Sequence, residues 1–346
     1  MIEIDGSYGE GGGQILRTAL SLSCLLNKPF RMFDIRKARK KPGLMPQHLT
    51  CVRAMQLLSN AAVTGDYPGS TELRFSPKEA KGGDFSFDIG TAGSTMLVLQ
   101  TIIPYLVMLN NKTAVILKGG THVPFSPSFH YIKEVFLPFL ERLGIKMQLN
   151  IESYGFYPKG GGRIRAEIFP VKEIRPLKII ERGDIISLSG HSCVGNLPVS
   201  IAERQRNAML EKIYEVKDFR CPVDIKLHEA PTPGQGTFIF LCSQSDNSVA
   251  GFTSLGERGK KAEAVGRDAA IEFLQYYSSN TALDPHMADQ IVPYLSLSRE
   301  ASAFSASRIT GHLMTNLWVT GLFHKFHYSI KGELGMPGEV NIAPYP

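Results

Sequence analysis

Gly13-Gln-Ile-Leu-Arg-Thr-Ala-Leu-Ser-Leu-Ser-Cys-Leu-Leu26 reads as an apolar helix entered from glycine and left through Asn27-Lys28-Pro29. A strand, Met1 to Asp5, precedes it, and a second, Phe30 to Ile35, follows. The pattern returns twice. Gly93-Ser-Thr-Met-Leu-Val-Leu-Gln100 opens a helix that breaks at Asn110-Asn111-Lys112, before a strand at Thr113 to Lys118. Gly311-His-Leu-Met-Thr-Asn-Leu-Trp318 runs on to Phe323 and leads into Lys325 to Ile330. All three helices are apolar over most of their faces, as helices buried in a core are. A second kind of helix accompanies them, at Gln47 to Ser59, Ser126 to Leu143 and Met287 to Leu297. The expected fold class is α/β (α+β), a triplicated unit of two helices on a small sheet. In the third unit the order reads as permuted.

The character of the chain changes between Gly183 and about Ser278. A charged helix, Ile201 to Val216, precedes the alternating strand Val223 to Leu227. A Pro-Thr-Pro-Gly-Gln-Gly loop, a strand at Thr237 to Cys242 and a helix near Glu263 to Tyr277 complete the stretch. It reads as a compact α/β module inserted before the third repeat. The domains expected are 1–183 plus 279–346 as one large body and 184–278 as the insert.

Composition excludes several classes. Of 346 residues 43% are hydrophobic and 20% charged, ordinary values that argue against disorder. The net charge of +6 is too small to name an anionic partner by itself. The start, Met1 to Gly13, has neither the basic nor the apolar region of a signal peptide. The most apolar run, Met96 to Leu109, contains Gln100 and Pro104 and is too short to span a bilayer. Five scattered cysteines form no CxxC pair, which argues against structural zinc and a disulfide framework. The location expected is cytoplasmic, with no membrane contact.

Chemistry is carried by a few segments. Glu10-Gly11-Gly12-Gly13-Gln14 lies between a strand and a helix, where glycines let backbone N–H groups approach an anion. Neither a Walker A motif nor GxGxxG fits, so a tight, closely packed turn is the plainer reading. Arg17 follows on the same helix. Arg36-Lys37-Ala38-Arg39-Lys40-Lys41 carries five positive charges in six residues, with no acidic residue until Asp66. Gln47 and His48 start the next helix, a cluster suited to gripping phosphate oxygens. His122 and His130 lack the i,i+4 spacing of a helical metal pair and read as structural. His312 stands at the N-terminus of the third buried helix, where the positive end of the dipole keeps imidazole neutral and nucleophilic. A lone histidine beside an apolar run is more often a hydrogen-bonded structural residue.

Taken together these residues resemble the RNA 3′-terminal phosphate cyclase family. The matching stretches are DGSYGEGGGQILR (Asp5 to Arg17), IRKARKKPGLMPQHL (Ile35 to Leu49), GTAGSTMLVLQT (Gly90 to Thr101) and GGTHVPFSP (Gly119 to Pro127). FYPKGGG (Phe156 to Gly162), LGERGKKAEAVG (Leu255 to Gly266), MADQ (Met287 to Gln290) and GHLMTN (Gly311 to Asn316) continue them in the family's order. The resemblance implies three repeated units, each two helices on a four-stranded sheet, with a smaller inserted α/β domain. It implies an ATP-dependent conversion of an RNA 3′-phosphate into a 2′,3′-cyclic phosphate. It implies too that His312 attacks the ATP α-phosphorus, carries AMP, and passes it to the RNA end.

The same resemblance assigns Arg17, Arg36, Arg39 and His48 to catalysis with His312. It puts Glu10, Gln47, Pro124, Phe252, His286, Asp289 and Gln290 around ATP, Phe252 and Pro124 at the adenine. Glu10 is the expected ligand of a divalent metal, magnesium or manganese. At His286 other members can carry tyrosine. A cyclase-like ribosome-assembly factor shares the scaffold but lacks the histidine, and the intact Gly311-His312 with Arg36 and Arg39 favours the enzyme. A plain RNA-binding module would use the basic run without chemistry.

Overall fold

The opening order of strand, glycines and helix forces a crossover. In the computed structural model, which describes residues 1–79, 82–217 and 219–345, β1 (Ile2–Asp5) and β2 (Phe30–Phe33) pair parallel. A parallel pair needs a long return connection, and α1 (Gly13–Leu26) supplies it. Asn27 closes that helix in the left-handed conformation, at φ 50°. After α2 (Pro46–Ser59) come β3 (Ala62–Thr64) and β4 (Leu73–Ser76), giving the order β1-β2-β4-β3.

The second unit repeats this. β5 (Asp84–Asp88), α3 (Thr95–Leu106) and β6 (Thr113–Gly119) form the parallel crossover. Then α4 (Phe129–Tyr131), a π-helical stretch over Ile132–Phe136 and α5 (Leu137–Arg142) form a single continuous rod. β7 (Met147–Ser153) and β8 (Gly162–Ile168) complete the order β5-β6-β8-β7.

β9 (Lys178–Ile179) begins the third unit. Between it and its parallel partner lies β10 (Ile185–Gly195), α6 (Ser200–Tyr214), β11 (Val223–Glu229), β12 (Gly236–Ser245), β13 (Val249–Leu255) and α7 (Ala262–Ser279). These strands make a separate sheet in the order β11-β10-β12-β13. The chain then returns through α8 (Pro285–Gln290), α9 (Val292–Leu295), β14 (Ser302–Ala306), α10 (Gly311–Phe323), β15 (Phe326–Lys331) and β16 (Gly338–Pro344). Read from its other edge, the third sheet is β9-β14-β16-β15, with β9 and β14 parallel and the rest antiparallel.

That topology corrects the permuted reading of the third unit. The strand sequence is the same in all three. In the third, α8 and α9 hold the first crossover and α10 holds the second, the place of α2 and of α4–α5. Shared apolar composition had grouped α10 with α1 and α3. All three are buried at one centre, where Leu16, Leu20, Met96, Leu99, Leu313 and Leu317 belong to one core.

β12 shows how the insert is attached. Its period-two alternation sends Ile239 and Leu241 to a core shared with Met209, Ile213, Val265 and Phe273, under α6 and α7. Phe238, Phe240 and Cys242 face the other way and join the large core. We propose on this basis the division of 1–183 plus 279–346 from 184–278.

Candidate active site

Three helix N-termini, those of α1, α8 and α10, meet where the unit cores join. Thr310 caps α10 by accepting a hydrogen bond from the Leu313 N–H at 3.0 Å, which fixes the turn carrying His312. His312 Nδ1 lies 2.7 Å from Gln14 Oε1 at the start of α1. Gln14 presents its carbonyl oxygen, so Nδ1 carries the hydrogen and the lone pair of the neutral ring is on Nε2. Nε2 in turn faces Glu10 Oε2 at 3.2 Å. Burial lowers the His312 pKa; Glu10 opposes this, and Arg17, His286 and Arg39 add to it. Burial thus favours the neutral ring.

Close approach explains two glycines. A Cβ on Gly311 would meet Glu10 Oε1 at 2.7 Å. A Cβ on Gly13 would meet His48 Nε2 at 2.3 Å and an Arg17 guanidinium nitrogen at 2.8 Å. The glycine run therefore admits side chains to the backbone as well as turning it. His48 accepts the Met45 N–H on Nδ1 at 3.1 Å, capping α2. Burial first, then Arg17 and Arg36, depress its pKa to about 3.

The arginines are held differently. Arg17 is enclosed by protein and opens toward the cavity; burial lowers its pKa, opposed by Cys51 and Asp289. Arg39 donates to the Glu10 carbonyl at 2.7 Å and lies 3.9 Å from its carboxylate. Arg36, at φ 56°, donates to the carbonyls of Lys41 at 2.7 Å and Gly43 at 2.9 Å, tying its own loop. Gln47 accepts from the Ser94 N–H at 3.4 Å, joining α2 to the entrance of α3.

Two cavities meet at His312. The larger, about 440 Å³, is walled by Gln14, Arg17, His286, Asp289, Gln290 and His312. The other, about 410 Å³, has Glu10, Phe252, Glu272, His286, Arg308 and His312 among its walls. Both are of a size that takes a small-molecule ligand. Asp289 is buried, and burial with nearby Asp284 raises its pKa well above the carboxylate range, Arg17 opposing. Its backbone carbonyl accepts from Asn316 at 2.7 Å, and Gln290 accepts from Gln100 at 2.7 Å.

Glu10, Arg17, His286, Asp289, Gln290, Phe252 and His312 thus gather on the cavity walls. Arg39 and His48 lie against the glycine loop, and neither they nor Arg36 and Gln47 line either cavity. Pro124 is exposed and also lines neither; the neighbouring Phe125, at φ 60°, lines the larger. Sequence reading missed Gln14 and Glu272. Gln14 had a signal, as the first polar side chain after the glycines. Glu272 had none, because it sits within a long amphipathic helix of the insert.

Fold and site define a family. Residues 8–330 match the RNA 3′-terminal phosphate cyclase family, and the chain belongs to it. It is 48% identical to a protein of Sulfolobus acidocaldarius named RNA 3′-terminal phosphate cyclase, over 96% of this chain and 98% of that one. Proteins of the same name from Thermococcus kodakarensis and Methylococcus capsulatus are similar too. The first is 41% identical over 99% of this chain and 98% of its own length. The second is 42% identical, over 93% of this chain and 91% of its own length.

Proposed function

We propose that this chain is an enzyme of the ligase class that uses ATP to close an RNA 3′-phosphate into a 2′,3′-cyclic phosphate, releasing AMP and diphosphate. The observation that carries the reading is the Nε2 lone pair of His312, fixed by Gln14, at the seam of two cavities. Nε2 attacks the ATP α-phosphorus, the P–O bond to diphosphate breaks, and AMP becomes bonded to the ring. The charge that develops on imidazole is supported by Gln14, which accepts from Nδ1.

An oxygen of the RNA 3′-phosphate then attacks the AMP phosphorus, and the P–N bond breaks. The vicinal 2′-hydroxyl attacks the activated phosphate, loses its proton and displaces AMP. A phosphate monoester has a poor leaving group, and adenylation replaces it by a good one. Intramolecular attack gains from proximity. Arg17, Arg36 and Arg39 would neutralise charge as it moves between phosphates, together with His48 and Gln47.

The half-exposed Glu10 carboxylate fits a divalent metal, since one carboxylate with substrate phosphates is a usual magnesium environment. Bound there, the metal would neutralise phosphate charge. The Glu10 carboxylate also faces a lone pair at 3.2 Å, a pairing that holds only with a proton or a cation between them. No described helix is long and apolar enough to cross a membrane, and a cytoplasmic location suits the proposed RNA substrate. Nothing in the site favours a non-catalytic assembly factor, for which the histidine would be idle.

The test uses RNA ends. RNA with a 3′-phosphate and ATP should yield the cyclic end, and RNA with a 3′-hydroxyl none. RNA ending in a 2′-deoxy, 3′-phosphate should stop at the adenylated end, because the ring-closing nucleophile is missing. Cyclic product from the 3′-hydroxyl RNA, or turnover of the deoxy RNA beyond adenylation, would contradict the reading.

A further inference from the structure

Away from the cavities, three histidines from distant parts of the sequence converge where the insert meets the second unit. His130 lies on α4, His191 on β10 and His228 on β11. One nitrogen from each lies within 4.8 Å of the other two. The rings of His130 and His191 are 4.5 Å apart, and those of His191 and His228 5.4 Å. Cys193 pairs with His228 across β10 and β11, which sets His191 two residues along from that pair. Alternation along β10 puts His191 on the face that packs against the second unit.

Partners beyond the trio leave the right nitrogens free. His191 Nε2 lies 3.0 Å from Glu134 Oε1, and a carboxylate can only accept, so Nε2 carries the hydrogen. His191 Nδ1 is buried and has no hydrogen-bond partner among the described residues. A histidine whose second nitrogen donates to a carboxylate is the common outer arrangement of a metal ligand. Glu134 comes from the π-helical stretch, a distortion frequent at functional sites. His130 Nδ1 lies 3.0 Å from His122 Nε2, and His122 Nδ1 lies 3.0 Å from Thr121 Oγ1. If His130 donates to His122 and His122 donates to Thr121, His130 Nε2 is left with its lone pair toward the trio.

We propose that His130, His191 and His228 bind one divalent first-row transition-metal ion, with zinc the fitting probe, and that the ion fastens the inserted sheet to the rod of the second unit. Zinc–nitrogen bonds of about 2.0–2.1 Å in a tetrahedral site put ligand nitrogens roughly 3.3–3.4 Å apart, so modest ring rotations close the trio on an ion. Water takes the fourth position, since Glu134 is engaged by His191. Burial favours the neutral form of His130 and His228, the form that ligates. Three imidazoles suit zinc over magnesium, which prefers oxygen. No linear spacing announces such a site, because each ligand comes from a different element.

The test needs neither ATP nor RNA. Chelator-stripped full-length protein is dialysed against zinc, then against zinc-free buffer, and its zinc content is measured with thermal unfolding before and after. The same is done with magnesium, and with the His191→Gln and His228→Gln variants. The expected result is stoichiometric zinc in the unaltered chain, a raised melting temperature with zinc alone, and loss of both effects in each variant. His228 is partly exposed, and its variant is checked by circular dichroism for an unchanged fold, so loss of zinc there is not misfolding. No zinc uptake by the unaltered chain, or zinc retained at full stoichiometry in the folded His228→Gln variant, overturns the proposal.

Discussion

His312 Nδ1 and Gln14 Oε1 stand 2.7 Å apart, joining the first turns of two buried helices from opposite ends of the chain. The bond sets which ring nitrogen carries the hydrogen and which the lone pair. Gln14→Leu keeps the approximate volume and removes the acceptor. Losing such a hydrogen bond costs about 1–3 kcal/mol, or roughly 5- to 150-fold in the rate of self-adenylation. Single-turnover labelling measures it, and a rate equal to the parent's would remove Gln14 from its positioning role.

The pH dependence has a definite sign. In the proposed mechanism the nucleophile is neutral His312, whose pKa in the folded chain lies below the ordinary imidazole value because of burial. Adenylation, if it proceeds as proposed, is therefore expected to fall away as pH drops through that lowered value, below the ordinary imidazole range. Glu10 raises the pKa of His312, so Glu10→Gln lowers it further and moves the acid limb to lower pH. A ring-proton titration of His312 by NMR reads this without reference to activity. An upward movement in the variant would mean that Glu10 does not act on the ring.

Arg36 and Arg39 are separable by where each donates. Arg39 reaches the Glu10 carbonyl, next to His312, whereas Arg36 ties its own loop through Lys41 and Gly43. Arg39→Ala should slow adenylation or AMP transfer by about 2–4 kcal/mol, roughly 30- to 1000-fold, with stability unchanged. Arg36→Ala should lose activity and, in addition, expose residues 36–43 to limited proteolysis. Parent kinetics in both variants would exclude the phosphate-binding role.

Two helical glycines predict opposite signs of stability change. A Cβ on Gly266 in α7 would meet the backbone carbonyl oxygen of Gln205 in α6 at 2.0 Å. Gly266→Ala should therefore destabilise by about 1–3 kcal/mol through overpacking. On Gly321 in α10 the nearest atom to such a Cβ is Phe326 Cε1, at 4.0 Å. Gly321→Ala should stabilise by up to about 1 kcal/mol, the helix-propensity difference. Urea midpoints of both variants check the pair, and a stabilised Gly266→Ala would show that α6 and α7 do not pack this closely.

What was legible in the sequence follows from which signals are local. The glycine entrances of α1 and α10, their apolar faces and the breaks at Asn27 and Pro29 are short-range, and the helices lie where they were expected. β10 and β13 of the insert were missed. Gly190, Gly195 and Gly251 interrupt them, and only their pairing with β12 makes them strands. The equivalence of α10 with α2 rests on strand order, which composition does not carry. Glu10, Gln14 and His312 meet through packing of the first unit on the third. Of the histidine trio only His130 was singled out, and read as structural with His122, because the three share no spacing.

The central claim is that His312 becomes covalently adenylated. The most direct measurement is incubation with ATP labelled on the α-phosphate, followed by acid and alkali treatment of the isolated protein. The account predicts label on the unaltered chain, labile to acid and stable to alkali as a phosphoramidate is. It predicts no label on His312→Ala or His312→Asn, and some on His48→Ala. Label accepted by either His312 variant would contradict it, and another residue would then be the nucleophile.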